Sequence, residues 1–360
     1  MLRDFSPADP LSVGFRERVG AEIAAFLDRQ EPLMEAVGTS ALLEVARAYA
    51  DGGKRLRPAF CYWAHAAVGG APDEDPAVLR VAASLDVMHA SALVHDDLID
   101  SADTRRGMPA AHKQYEVLHV ERDGRGSIHD FGTAASILLG DMLLMWSVEM
   151  FDDAGAARLQ EARGEVARMR AEVTAGQFLD VSAAYGVTDE RESLDVAYKV
   201  LEYKSASYSM RRPALIGARL GGASPDQLDA LGRFGSHIGH AFQLRDDVLG
   251  VWGDEDVTGK PTGGDLREDK ATVLVLTALQ RATPEQARPL RAVLGRKDAS
   301  DTAVAEAASV IEATGAREHV EALIESHFQQ GAEALASCDL DLDGRRALER
   351  LATLSVRRAF

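Results

Sequence analysis

Residues 78–100 read VLRVAASLDVMHASALVHDDLID. Apolar residues recur along this stretch at helical spacing and on a wide stripe, the pattern of a helix buried inside a large bundle. It ends in Asp96, Asp97 and Asp100, and Arg105 and Arg106 follow in SADTRRG. Positions four apart share one helix face roughly 6 Å from each other, so Asp96 and Asp100 point the same way with Asp97 beside them. Like charges at that spacing repel. On a solvated helix end water would screen them. At the rim of an apolar run they require a counter-charge, and Mg²⁺, which takes hard oxygen ligands from one or two carboxylates plus phosphates, supplies it.

The same periodicity continues outward from about residue 16 to the end, most clearly over 133–153, 160–185, 225–252 and 271–281, while strand-type alternation is nearly absent. Ala, Leu, Glu and Arg dominate, so the expectation is an all-α protein. Gly and Pro punctuate the helices at GGKRLRP (52–58), GGAP (69–72), GGASPD (221–226) and TGKPTGGD (258–265). The polar stretch 116–130 reads as a surface loop. At 360 residues and 46% hydrophobic content the chain can bury a substantial core. No internal repeat divides it, so residues 1–360 are expected to form one domain with a loose N-terminal segment over 1–15.

A formal net charge of −17 argues against nucleic acid as a partner, because a phosphate backbone needs a clustered basic face. Any anion bound here needs a local basic pocket. No stretch reaches the ~18 uninterrupted apolar residues of a spanning helix, so no transmembrane segment is expected. Cys61 and Cys338 stand far apart at no metal-ligand spacing, which fits a reduced, cytoplasmic protein.

A second acid pair, Asp246 and Asp247, closes another apolar stretch in FQLRDDVLGVWGD (242–254), and Asp180 ends GQFLD. Two facing acid clusters suit a diphosphate held through several Mg²⁺ ions. Phosphate oxygens without metal need cations, and GGKRLRP offers Lys54, Arg55 and Arg57 after two glycines that let backbone approach closely. The chain has no Asn and only seven Lys, leaving 33 of its 40 basic residues as Arg. Four of those seven, Lys54, Lys204, Lys260 and Lys270, fall beside candidate motifs, where a compact ammonium suits a phosphate.

Together, GGKRLRP, HASALVHDDLIDSADTRRG, GQFLD, YKSASYS, FQLRDDVLG and TGKPTGGDLREDKAT resemble the ordered motif set of trans-type polyprenyl diphosphate synthases, over residues 50 to 275. The resemblance implies the isoprenoid synthase helical bundle with a central cavity, usually a homodimer. It also implies condensation of an allylic diphosphate (dimethylallyl, geranyl or farnesyl) with isopentenyl diphosphate. By that resemblance Asp96, Asp100 and Asp246 hold Mg²⁺, three ions per site, assisted by Asp97, Asp180 and Asp247. Lys54, Arg57, His89 and Arg106 match the residues on isopentenyl diphosphate, and Arg105, Lys204, Lys260 and Lys270 those on the allylic diphosphate. Gln243 and the backbone of Lys204 and Ser205 match groups that stabilise the allylic cation.

Three positions depart from the family's pattern. Gly250 stands where the second acid motif has a third aspartate, Ser205 replaces a threonine, and Asp269 precedes Lys270 in place of glycine. Upstream of Asp96, small residues at Ser91 and Ala92 should let the growing chain pass, and Met88 one turn deeper should floor the pocket, with Met145 and Trp146 helping to close it. A geranylgeranyl (C20) product is expected. The alternatives are a longer or shorter product of the same reaction, or a non-catalytic partner subunit of a prenyl synthase.

Overall fold

The long apolar stretch becomes a helix because its start is fixed from both sides of the backbone: Asp75 caps it by accepting the Ala77 N–H, and Pro76 occupies the first turn, where its missing N–H costs nothing. The computed structural model describes residues 5–188, 193–253 and 262–357. In chain order they form α1 (Val13–Val37), α2 (Ser40–Ala50), α3 (Leu56–Ala67) and α4 (Pro76–Ile99), then a hairpin of β1 (Thr104–Arg105) and β2 (Met108–Pro109). Helices α5 (Ala111–Glu121), α6 (Ile128–Asp152), α7 (Leu159–Ala184) and α8 (Leu194–Val200) follow. A π-helix (Leu201–Arg211) continues α8 directly into α9 (Arg212–Leu220), and α10 (Pro225–Trp252) comes next. The chain closes with α11 (Gly264–Arg267), α12 (Val273–Arg281), α13 (Pro284–Val293), α14 (Asp301–Ala313), α15 (Ala316–Ala336) and α16 (Leu342–Val356).

The fold is the all-α bundle expected. Helix α4 is apolar nearly all round and is packed on every side, against α1, α2, α3 and above all α6. Helix α10 runs against α15 and the π-helix, and α3 against α9 and α16. Two apolar clusters result. One, including Phe60, Leu139, Leu143 and Phe234, fills most of the bundle; the other, including Met88, Phe151, Met169 and Tyr208, fills the space between α4, α7 and α9.

Two expectations change. Residues 116–121 are the second half of α5 rather than loop, because Tyr115 and His119 are buried on one face of that helix, and α6 already begins at Ile128. The connection shrinks to 122–127. The N-terminal segment is packed, not loose, from Phe5 onward: Phe5 and Phe15 meet Tyr62 edge to face, and Trp63 donates to the Pro10 carbonyl.

By length and composition α4 and α6 would both suffice to cross a membrane, but 78% of the apolar window of α4 is buried in the protein. Only 39% of that of α6 is.

The π-helix follows from two local constraints. Pro213 has no N–H to continue an α ladder back to the Ser209 carbonyl, so the ladder must be interrupted there. Flanking glycines then admit the wider turn: a Cβ on Gly176 of α7 would lie 2.9 Å from the Lys204 Cα, and one on Gly239 of α10 would lie 2.6 Å from the Ala206 Cα. A comparable approach joins α3 to α9, where a Cβ on Gly217 would overlap the Cys61 carbonyl oxygen. Gly217→Ala is therefore expected to destabilise the protein by about 2 kcal/mol or more, although Ala is the better helix former. Urea denaturation of the two proteins measures the difference.

Candidate active site

Asp96 and Asp100 project from the last turn of α4, Asp180 from the last turns of α7, Asp246 and Asp247 from the last turns of α10. Each acid of the first group faces a cation. Lys204 Nζ lies 2.6 Å from Asp180 Oδ2 and 3.5 Å from Asp96 Oδ1, and Gln177 donates to Asp96 at 3.1 Å. Lys270 Nζ stands 2.9 Å from Glu268, 3.7 Å from Asp265 and 4.0 Å from Asp100, so one ammonium joins the acid end of α4 to α11. Lys297 donates to the Asp100 carbonyl.

The protonation states follow from this placement. Burial alone would lower the Lys204 and Lys270 ammoniums, but Asp96 and Asp180 around the first, and Asp265, Glu268 and Asp100 around the second, hold both above the ordinary lysine value. Burial and the neighbouring Asp96 push the Asp100 carboxyl up. Asp247 is the most perturbed of these acids. Burial, with Asp265 and Asp246 close by, raises it to about 8, against the opposing hydrogen bond from Gln243 Nε2 at 2.9 Å.

Asp97 takes a different place from the one expected of a metal ligand. Its side chain is 1% exposed. Tyr49 donates to Oδ2 at 2.8 Å, and Arg105 donates to Oδ1 through Nε at 2.7 Å and again through its terminal nitrogen. The Tyr49 oxygen in turn accepts the Ala111 N–H at 2.8 Å. With both oxygens used, Asp97 orients Arg105, whose guanidinium reaches to 3.7 Å of Asp96. Nothing about RAYADGG in the sequence marks Tyr49 as facing a carboxylate.

A second group of cations gathers around Tyr208, which lies within YKSASYS but has no role in the motif reading. Arg57 lies over the Tyr208 ring at 4.1 Å and donates to Ser209 at 2.9 Å, while its buried Nε has no hydrogen-bond partner among the described residues. The Tyr208 hydroxyl is 2.7 Å from His89 Nδ1. Burial, then Arg57 and Arg106, holds the His89 imidazole well below its usual range, so it is neutral. Arg106 and Gly107 both have positive φ, forming the two-residue turn of the β1–β2 hairpin. An arginine in that left-handed position is strained, and it is held there with Nη1 donating to the Asp51 carbonyl and with Nη2 over Gly53. Arg55 is not on this surface: it is buried in an ion pair with Asp86 at 2.8 Å. Lys54 is exposed.

Below the acids, Ala92 and Met88 belong to the second apolar cluster, with Leu144, Met169, Val173 and Phe151. Ser91 is turned from them, its hydroxyl donating to the Gly140 carbonyl of α6 at 2.7 Å. Trp146 is buried in the larger cluster. Met145 is 57% exposed on the outer face of α6 and closes nothing. Lys260 lies outside the described residues. Ser205 and Lys204 lie within the π-helix, and Gln243 is committed to Asp247.

Among the described residues no three His, Cys, Asp or Glu side chains converge as a preformed cation cage. The acids present suit Mg²⁺ nonetheless, since that ion takes one or two carboxylates and completes its shell with phosphate oxygens and water.

In the metal-free protein the Asp247 proton is bound in the fold and absent from the unfolded chain between pH about 4 and about 8. Stability contributed by this group is therefore lost as pH rises through that window, by on the order of 2–5 kcal/mol. Asp247→Asn is expected to flatten the decline, read as melting temperature against pH in chelator.

Residues 39–311 match the polyprenyl synthetase family model. The fold is similar to that of geranylgeranyl pyrophosphate synthase from Corynebacterium glutamicum, solved with isoprenyl diphosphate and magnesium, at TM-score 0.90 and 39% identity over 96% of this chain and 99% of that one. Among curated proteins, a short chain isoprenyl diphosphate synthase of Methanothermobacter thermautotrophicus is 32% identical, covering 85% of this chain and 87% of the relative. A nonaprenyl diphosphate synthase of Mycobacterium tuberculosis is 30% identical, covering 94% and 92%.

Proposed function

Because the chain belongs to the polyprenyl synthetase family and is a prenyltransferase of the isoprenyl diphosphate synthase kind, we propose that it condenses isopentenyl diphosphate with dimethylallyl, geranyl or farnesyl diphosphate and releases geranylgeranyl diphosphate. The observation that carries this reading is the pairing of two differently charged anion sites at one end of the bundle, one lined by acids and lysines, the other by arginines and a neutral histidine.

On this reading Asp96, Asp100 and Asp246, with Asp180 and Asp247 beside them, would hold three Mg²⁺ ions, which would supply the positive charge that a leaving allylic diphosphate needs. Arg105, aimed by Asp97 and Tyr49, and Lys204 and Lys270 hold the remaining oxygens of that group. Arg57, His89, Arg106 and Lys54 hold isopentenyl diphosphate without metal, the histidine donating from Nε2 while Nδ1 accepts from Tyr208. The amide of Gln243 and the backbone at Lys204 and Ser205 present oxygen dipoles to the allylic cation, in a site whose apolar floor excludes water. The π-helix supports that role, because a shifted ladder loosens the carbonyls of that turn. The homoallylic double bond attacks, and the departing diphosphate takes the final proton.

The C20 length is supported by the small Ala92 above Met88 and Phe151 in the second cluster, and by the 39% identity to a geranylgeranyl synthase. Incubation with Mg²⁺, isopentenyl diphosphate and each allylic primer, read by mass spectrometry, should give a dominant C20 product, and Met88→Ala should lengthen it. Asp96→Ala should lower turnover by about 10³-fold or more, as removal of a group stabilising the transition state does. A C20 product unaltered by Met88→Ala would remove the floor but leave the reaction. No product from any primer would move the partner-subunit reading to first place.

We also propose that it acts as a homodimer in the cytoplasm. Phe131, Leu138 and Met145 recur seven residues apart on α6 and are all exposed, with Val117 and Val120 of α5 alongside. Both cysteines are free, as a reducing compartment requires. A charge in that stripe, Leu138→Glu, should convert a dimer to monomer in size-exclusion chromatography with light scattering. A wild-type monomer would refute the dimer.

A further inference from the structure

Helix α7 runs antiparallel to the π-helix and α9, and charge is matched along the whole contact. Glu165, Glu172, Gly176 and Asp180 follow one another at intervals of seven, four and four residues and so share one face of α7. Opposite Glu165 stand Arg212 at 2.5 Å and Arg219 at 3.5 Å, opposite Glu172 stands Arg212 again, and opposite Asp180 stands Lys204. Between the last two pairs, Gly176 lets the Lys204 backbone come against α7. Glu172 is the middle fastening. Its Oε2 accepts from Ser207 Oγ at 2.6 Å and from Arg212 Nε at 2.9 Å, and its Oε1 accepts from Arg212 Nη2. Ser207 and Arg212 are both buried. Burial alone would raise the Glu172 carboxyl, but the hydrogen bonds from Arg212 and Ser207 hold it below the usual carboxylate range, so it is ionised.

The π-helix is what needs such a fastening. In an α-helix the regular ladder fixes where each side chain stands relative to the next turn. In a π-helix the additional residue can lie in one turn or its neighbour, so contacts outside the ladder decide where Lys204 stands. Lys204 is three residues before Ser207. We infer that Glu172 is a positioning residue for Lys204: by gripping Ser207 and Arg212 it sets the register of the π-helix, and with it the approach of the Lys204 ammonium to the acid end of α4. The inference rests on the reading of that end as a Mg²⁺–diphosphate site. One property separates it from a plain stabilising ion pair. The effect of Glu172 on ligand binding passes through Lys204.

The test uses the full chain and inorganic diphosphate with Mg²⁺, titrated calorimetrically well below the melting temperature of every variant, with circular dichroism reporting the fold. Glu172→Gln keeps the shape and removes the charge, and is expected to weaken Mg²⁺-dependent diphosphate binding by about fivefold or more, within the range over which coupled neighbours act on one another. Ser207→Ala leaves the ion pair with Arg212 in place, and is expected to weaken binding in the same direction by about twofold or more. In a Lys204→Met background neither substitution is expected to cost further affinity, because the group they aim is gone. Wild-type affinity in Glu172→Gln would overturn the inference; where that variant does not fold, wild-type affinity in Ser207→Ala would do so. An undiminished further loss in the Lys204→Met background would overturn it as well, since a pair that only stabilises the bundle acts independently of Lys204. Lys204→Met alone separates the two readings: if it binds as the wild type does, the diphosphate site itself is misread, whereas loss there with none in the Glu172 and Ser207 variants sinks only the role given to Glu172.

Discussion

Carboxylates held at the rim of an apolar interior must be matched by positive charge, and the acid end of the bundle is organised around that requirement. Two lysines meet it. Lys204, between Asp96 and Asp180, ties the ends of α4 and α7 to the π-helix; Lys270, between Asp100, Asp265 and Glu268, ties α4 to α11. Burial that would discharge an isolated ammonium is outweighed by two or three carboxylates at each. Under the proposed function the same ammoniums would hold a phosphate once divalent ions take over the carboxylates. Lysine is retained at these positions in a chain that otherwise uses arginine, and a compact ammonium fits between carboxylates less than 4 Å away where a planar fork would demand more room.

Such a site tolerates no slack in the helices that carry it. The π-helix brings Lys204 against α7 and α10 only because Gly176 and Gly239 leave backbone to meet backbone, and Arg105 is aimed only because Asp97 is closed off by Tyr49. These contacts are buried, and a buried carboxylate deprived of one partner keeps the desolvation cost without the compensation. The strained Arg106 belongs to the same economy of placement: a hairpin of two-residue strands puts a guanidinium over Gly53, where an unstrained turn residue would carry no charge.

Most of the fold was legible because period and punctuation agree: α10 spans 225–252, as its apolar stripe and Pro225 indicate, and α4 follows the acid-ended stretch closely. The site was legible as a set of motifs but not as contacts. That Asp97 serves Arg105 and that Tyr208 joins Arg57 to His89 depend on which side chains meet across helices, and residue spacing along one helix is silent on that. The charge of residues 116–121 hides a helix from the sequence, because the face that carries Tyr115 and His119 is buried only by α6 lying beside it. Met145 is the converse case. On a helix apolar all round, sequence gives no inside, and the residue points outward.

The asymmetry between the two anion sites carries the proposed chemistry further than either site alone. Two diphosphates are alike at the headgroup, so the protein must decide which one loses it. Under the proposed function the acids would hold a diphosphate only through divalent cations, which would supply stabilisation of the charge that develops as the C–O bond breaks. On the arginine side the cations are fixed, the histidine is neutral, and the guanidinium of Arg57 is spread over the Tyr208 ring, so on the proposed reading a diphosphate there would be held in the ground state and gain little from bond breaking. Under the proposed function the substrate bound there would keep its diphosphate and contribute its double bond. Under the proposed function, selectivity for which molecule ionises would reside in the placement of Asp96, Asp100 and Asp246 more than in any recognition of the hydrocarbon.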